Sequence, residues 1–173
     1  MTFVALFRGI NVGGGNTLPM RDLRKLAIDL GWTAPRTYIA SGNLVFEADG
    51  APDALAANLK ALIADRLRLD VAVLVLTGEA LKRVLAECPY HPDDPRYVHI
   101  AFGLGAFDVD RERLAALIAP DEDLKIKGRT AYLHAPSGIG RSQLAAALDR
   151  VLGVPTTARN LRTVTTLVQM LDG

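Results

Sequence analysis

Apolar residues alternate along this chain between short unbroken runs and helically spaced stripes. Phe3, Val4, Ala5, Leu6 and Phe7 form a continuous run before Arg8, the pattern of a strand covered on both faces. Pro19 then opens a stripe of Leu23, Leu26, Ala27 and Leu30 that Gly31 closes, which predicts a helix. Thr37 to Ile39 and Asn43 to Phe46, joined by Ala40-Ser41-Gly42, predict a hairpin. Pro52 starts a longer helix with Leu55, Leu59, Leu62, Ile63 and Leu67 on one face. Val71 to Leu76 is a second fully apolar strand, and Glu79 to Cys88 a further helix stopped by Pro89.

The second half runs through the same order. Tyr97 to Phe102 is a strand and Arg111 to Ile118 a helix. Leu124 to Lys127 and Thr130 to Ala135 form a hairpin about Gly128-Arg129. Arg141 to Leu152 is a helix, Thr156 to Arg159 a short strand and Val164 to Leu171 a last helix. Two β-α-β-β-α-β units in series predict an α+β protein of two tandem ferredoxin-like lobes, each followed by an extra helix. Lobe 1 spans residues 1–88 and lobe 2 residues 97–173. The proline-rich acidic stretch 89–96 is the linker. The strands at 3–7 and 71–76 are apolar on both faces, so something must cover the second face: the extra helices, the other lobe, or a second subunit in a homo-oligomer.

Composition narrows the class. Half of the 173 residues are apolar, enough for a sizeable core, and no apolar stretch approaches the length of a membrane span. The opening MTFVALF is cut off too soon by Arg8 to be a signal peptide, and Cys88, alone, allows no internal disulfide. The expectation is a soluble cytoplasmic protein. The net charge is +1, but it is unevenly laid out. From Glu79 to Asp123 ten acids face five bases, and from Lys125 to Arg162 seven bases face Asp149 alone. Such blocks solvate a surface or, in the basic half, form a local anion site.

Four strings resemble one bacterial family. They are Arg8-Gly9-Ile10-Asn11-Val12-Gly13-Gly14 with Asn16 and Pro19-Met20; Thr37-Tyr38-Ile39 with Ser41-Gly42-Asn43; Gly138-Ile139-Gly140-Arg141-Ser142 with Leu144; and Thr156-Thr157-Ala158-Arg159-Asn160 with Thr163-Val164. Together they resemble domain-of-unknown-function family 1697 over nearly the whole chain. The resemblance implies a duplicated ferredoxin-like fold and no established activity. Two positions depart from it: Gly15, where the family often carries a long polar side chain, and Leu161, where it usually has tryptophan.

The individual motifs stop short of named chemistry. Ser137 to Ser142 sits between strand and helix as a phosphate loop does, but the first Walker glycine falls on Ala135 and the lysine on Arg141. Gly13-Gly14-Gly15 lacks the third glycine of a dinucleotide fingerprint, since that position is Leu18. His91, His99 and His134 have no metal-ligand spacing, and Ser41, Ser137 and Ser142 have no base partner. No cofactor, metal or catalytic set is assigned, and Cys88 reads as a packing residue.

Topology gathers the motifs. A crossover returns strands in parallel, so the segments after the first and second strands of lobe 1 share an edge, and so do those after the third and fourth strands of lobe 2. This predicts two clusters, Arg8, Asn11, Ser41 and Asn43 in one lobe, Arg141, Ser142, Arg159 and Asn160 in the other. The functional expectation is a small anionic or phosphorylated ligand, a nucleotide among the candidates, held in a cleft between the lobes by three arginines. Arg141 is expected in the first turn of a helix, where an anion would offset its charge against the macrodipole. Alternatively each arginine caps an element end. The second class is a nucleic-acid-binding module, for which ferredoxin-like sheets are known but aromatic pairs are lacking here.

Overall fold

Every residue from Phe3 to Phe7 is fully buried in strand β1 (Thr2–Phe7), as a run with no polar position requires. A computed structural model describes residues 1–13 and 15–173 of the chain; Gly14, in the middle of the 13–15 glycine run, lies outside the described residues. After β1 come α1 (Met20–Asp29), β2 (Thr33–Thr37), β3 (Asn43–Glu47), α2 (Pro52–Leu67), β4 (Val73–Thr77) and α3 (Gly78–Ala86). The strands form one antiparallel sheet in the order β2-β3-β1-β4.

Period-two alternation sorts β1 into two faces. Phe3, Ala5 and Phe7, with Leu44 and Phe46 of β3, pack on Leu23 and Leu26 of α1 and on Leu55, Leu59 and Ile63 of α2. Trp32 closes this core by stacking on Phe46, ring centres 4.0 Å apart. Val4, Leu6 and Val45, on the opposite face, are equally buried. Pro19 stands one place before α1 as its cap, not as its first residue; its carbonyl accepts the Leu23 N–H. Pro52 does open α2, and Arg68, with φ 56°, closes it.

The second half contains β5 (Val98–Gly103), α4 (Arg111–Leu117), β6 (Asp123–Lys127), β7 (Thr130–His134), α5 (Gln143–Ala146), α6 (Leu148–Leu152), β8 (Thr156–Asn160) and α7 (Leu161–Leu171), with single 3-10 turns at Pro95–Tyr97 and Ile139–Arg141. Its sheet, β6-β7-β5-β8, repeats the order of the first and is again antiparallel. Ala101, Ala131 and Leu133 face Leu144, Leu148, Val151 and Leu152 across the core. On the other face Tyr132 is fully buried, and its hydroxyl donates to the Val84 carbonyl at 2.7 Å. The described residues thus form an α+β protein of two four-stranded antiparallel sheets and seven helices.

Three elements differ most from the sequence expectation, the others by one or two residues at an end. The second strand lies at Thr33–Thr37, earlier than 37–39, because an edge strand tolerates Pro35 where a central one would not. The helix expected over 141–152 is a 3-10 turn followed by two short helices that break at Ala147, whose φ of −110° is not helical. The last helix starts at Leu161, directly after β8. The chain divides into unit 1, Met1–Arg83 with Thr166–Gly173, and unit 2, Val84–Thr165. The boundary therefore cuts α3 and α7, residues 89–96 fall inside unit 2, and the last eight residues group with unit 1. There the Arg36 guanidinium donates to the Met170 carbonyl at 2.7 Å, and Leu171 packs over Gly78.

Candidate functional site

Two antiparallel steps separate β1 from β2, so both run the same way with β3 between them, and the segments that follow them meet at one end of the sheet in unit 1. The Phe7 N–H donates to the Gly42 carbonyl at 3.1 Å, and the Arg8 N–H to the Ala72 carbonyl at 3.1 Å. Asn11 clasps the corner. Its side-chain oxygen accepts the Leu18 N–H at 2.7 Å, and its two amide hydrogens go to the carbonyls of Leu18 and Ala40, each at 2.8 Å. Asn43, wholly buried, donates to the Tyr38 carbonyl at 2.8 Å and to the Ser41 hydroxyl at 3.3 Å. Arg8, Asn11, Ser41 and Asn43 are thus brought together. The amide hydrogens of both asparagines are spent on the protein itself, so these two shape the corner, while Arg8 is exposed and Ser41 partly so.

Much of the corner's backbone is left-handed. Asn11, Asn16 and Ile39 have φ of 57°, 44° and 51°, three of the five positive-φ residues other than glycine among those described. Gly42 must be glycine on two counts: its φ is 97°, and a Cβ would stand 2.6 Å from Ile10 Cδ1 and 2.8 Å from Phe7 Cβ.

In unit 2, β7 and β8 both flank β5 and run the same way, so the ends of those strands share an edge, His134 opposite Val98 and Asn160 opposite His99. The four side chains expected there have unlike surroundings. Ser142 caps α5, its hydroxyl accepting the Ala145 N–H at 3.0 Å. Asn160 caps α7 in the same way through the Thr163 N–H, at 2.9 Å. Arg141 is exposed, but it ends a 3-10 turn before a four-residue helix, so the macrodipole argument for an anion at that residue fails. Arg159 is only 7% exposed. Its guanidinium donates to Thr157 Oγ1 at 2.9 Å and to the Ala158 carbonyl at 2.8 Å, and burial pushes its pKa down to about 10.

Sequence reasoning missed other groupings. Val12 and Ile39 expose large apolar side chains at the unit 1 corner, 63% and 49% accessible. Nothing in a one-dimensional pattern separates an exposed valine in a glycine-rich loop from a buried one. In unit 2, Tyr90 donates to Asp123 Oδ2 at 2.7 Å and tilts against His134. His134 in turn lines a pocket of about 450 Å³ with His91, Asp93 and Tyr97. No group of three or more metal-ligating side chains occurs among the described residues. His99 is largely buried, with Nε2 lacking a partner among the described residues, and burial lowers its pKa.

The model of a family described as a protein of unknown function (DUF1697) matches residues 1–132. A solved structure, that of a conserved bacterial protein from Streptococcus pneumoniae, is similar over 98% of both chains, with 26% identity and a TM-score of 0.75. Comparison with curated proteins finds no match. Among the described residues no helix is long and apolar enough to cross a membrane.

Proposed function

We propose that this chain, which belongs to the domain-of-unknown-function family 1697, binds a small anionic or phosphorylated molecule at the Arg8–Asn43 corner of unit 1. The observation that carries this reading is the corner's construction. Two surface loops are locked together by asparagine side chains, and three residues other than glycine are held in a left-handed conformation, Ile39 at a cost of about 1–2 kcal/mol. A connection that only had to turn would not need an isoleucine at positive φ. Arg8 supplies the charge and a guanidinium fork suited to phosphate or carboxylate, and Ser41 a neutral hydrogen bond.

The strand order β2-β3-β1-β4 and its repeat in unit 2 support a ferredoxin-like reading of each unit. Arg141, exposed after Gly140, and buried Arg159 are the candidates for anion contact in unit 2. The lone Cys88 supports a cytoplasmic location. A nucleic-acid role draws less support, because Phe3, Phe7, Phe46, Trp32, Phe102 and Tyr132 are core residues, which leaves Tyr97 as the one well-exposed aromatic among the described residues and no pair on which successive bases could stack.

Calorimetric titration of the protein and of Arg8→Ala against inorganic phosphate, nucleotides and sugar phosphates tests the reading. The expected result is a saturable ligand whose affinity falls about tenfold or more in Arg8→Ala, roughly 1.4 kcal/mol. Undiminished binding in Arg8→Ala, or no anion that binds, overturns it.

A further inference from the structure

Where β2 starts and β3 stops, Thr33 stands opposite Glu47, and an open cavity of about 510 Å³ is bordered by these strand ends, the end of α1 and the first turns of α2. Its size falls in the roughly 300–1,000 Å³ range of small-molecule sites. Trp32, the one tryptophan of the chain, lies on its wall. The ring is fixed by its stack on Phe46, planes 9° apart, and the residue is only 6% exposed. A tryptophan buried to this degree ordinarily gives its indole N–H to an acceptor. Trp32 has no such acceptor among the described residues, yet His99 Nε2 is the one side-chain polar atom there that is both unpartnered and closed to solvent. The indole nitrogen therefore belongs to the small exposed part of Trp32, at the cavity wall. Glu47, whose carboxylate receives a long 3.4 Å bond from the Thr33 hydroxyl, and Asp49 add acceptors, and Asn58 adds both a donor and an acceptor. The side chains of Asp49 and Asn58 make no hydrogen bond among the described residues. No lysine, arginine or histidine stands among the lining residues, and the Met1 amino group is turned to the Ala48 carbonyl at 3.3 Å.

We infer that this cavity binds a neutral polyhydroxylated molecule, a monosaccharide or polyol, whose hydroxyl oxygens accept the Trp32 N–H and whose hydroxyl protons go to Glu47 and Asp49. A hydroxyl is the group that both donates and accepts. An ammonium ion would suit the carboxylates and leave the indole N–H unpaired. An anion would accept from the indole and be repelled by both carboxylates. Displacing ordered water keeps affinity only when the incoming group reproduces the water's hydrogen bonds, which a hydroxyl does. Asn43 of the Arg8 corner and Glu47 of the cavity are the two ends of β3, so this site is separate from the anion site and does not depend on it.

A single tryptophan on the cavity wall makes the protein its own reporter. Titration with glucose, galactose, mannose, ribose and myo-inositol is expected to give, for at least one of them, a saturable change in tryptophan emission that tetramethylammonium and inorganic phosphate do not give at the same ionic strength. Calorimetry with that compound is expected to show binding weakened about threefold or more in Asp49→Asn and in Glu47→Gln, and unchanged in Arg8→Ala. Both acidic positions are exposed, so neither variant puts folding at stake. No saturable change with any of these sugars and polyols, or binding undiminished in both Asp49→Asn and Glu47→Gln, overturns the inference. A saturable change with tetramethylammonium in place of the sugars overturns the neutral polyol class.

Discussion

Asn11 and Leu18 grip each other from both sides of a loop: the Asn11 Oδ1 accepts the Leu18 N–H at 2.7 Å, and the Asn11 amide returns a bond to the Leu18 carbonyl at 2.8 Å. A side-chain amide here does what a neighbouring strand would do for a backbone. Val12 and Gly13 lie exposed next to this clasp.

Asn11→Ala is expected to destabilise the protein by about 2 kcal/mol, from lost hydrogen bonds and from an alanine forced to positive φ. Asn11→Gly keeps the backbone conformation and loses only the bonds. Urea unfolding gives both values, and hydrogen exchange at the Leu18 amide should quicken in each variant. An unchanged Leu18 rate would show that the clasp does not hold the loop.

Gly42→Ala and Gly31→Ala form a matched pair. Both positions have positive φ, 97° and 82°, but a Cβ at 42 collides with Phe7 and Ile10, while one at 31 meets nothing within 4 Å. The cost at 31 should be the conformational one, about 1 kcal/mol. At 42 overpacking adds about 1–3 kcal/mol. Equal midpoint shifts in denaturant would count against the close contact.

Ser142→Ala and Asn160→Ala separate capping from ligand binding. As caps of α5 and α7 each should cost about 1 kcal/mol in stability and leave anion affinity unchanged. Loss of affinity at unaltered stability would return these residues to the site.

Stability should fall as the pH drops through the histidine range, on account of His99. Burial lowers its pKa in the folded state, and the backbone bond with Arg96 offsets this only in part. In the unfolded chain its pKa returns to the ordinary value near 6.5. Between the lowered value and about 6.5 the unfolded state binds more protons, so the contribution of neutral His99 is present above that range and is lost below it. Urea midpoints from pH 8 to pH 5 should decline, and His99→Gln should flatten the decline. A slope unchanged in His99→Gln would assign the effect elsewhere.

The element order of both halves, the α+β class and the meeting of segment 8–11 with 41–43 were all legible in the sequence, because apolar periodicity and the parallel return of a crossover are local or topological rules. Boundaries were less so. Thr33-Ala34-Pro35 does not look like a strand until its place at a sheet edge is known, and the break at Ala147 has no residue-type signal. Only the tertiary structure decided how each polar side chain is used. Asn11 and Asn43 read as ligand-binding groups until their amide hydrogens are seen to end on backbone carbonyls, one of them 29 residues away, and on the Ser41 hydroxyl. Arg8, Arg141 and Arg159 are alike in one dimension, yet two are exposed and one is buried on its own strand. The physical reason is common to all: hydrogen-bond satisfaction and solvent exposure depend on which distant backbone groups arrive beside a side chain, and the residue's own type carries no record of that.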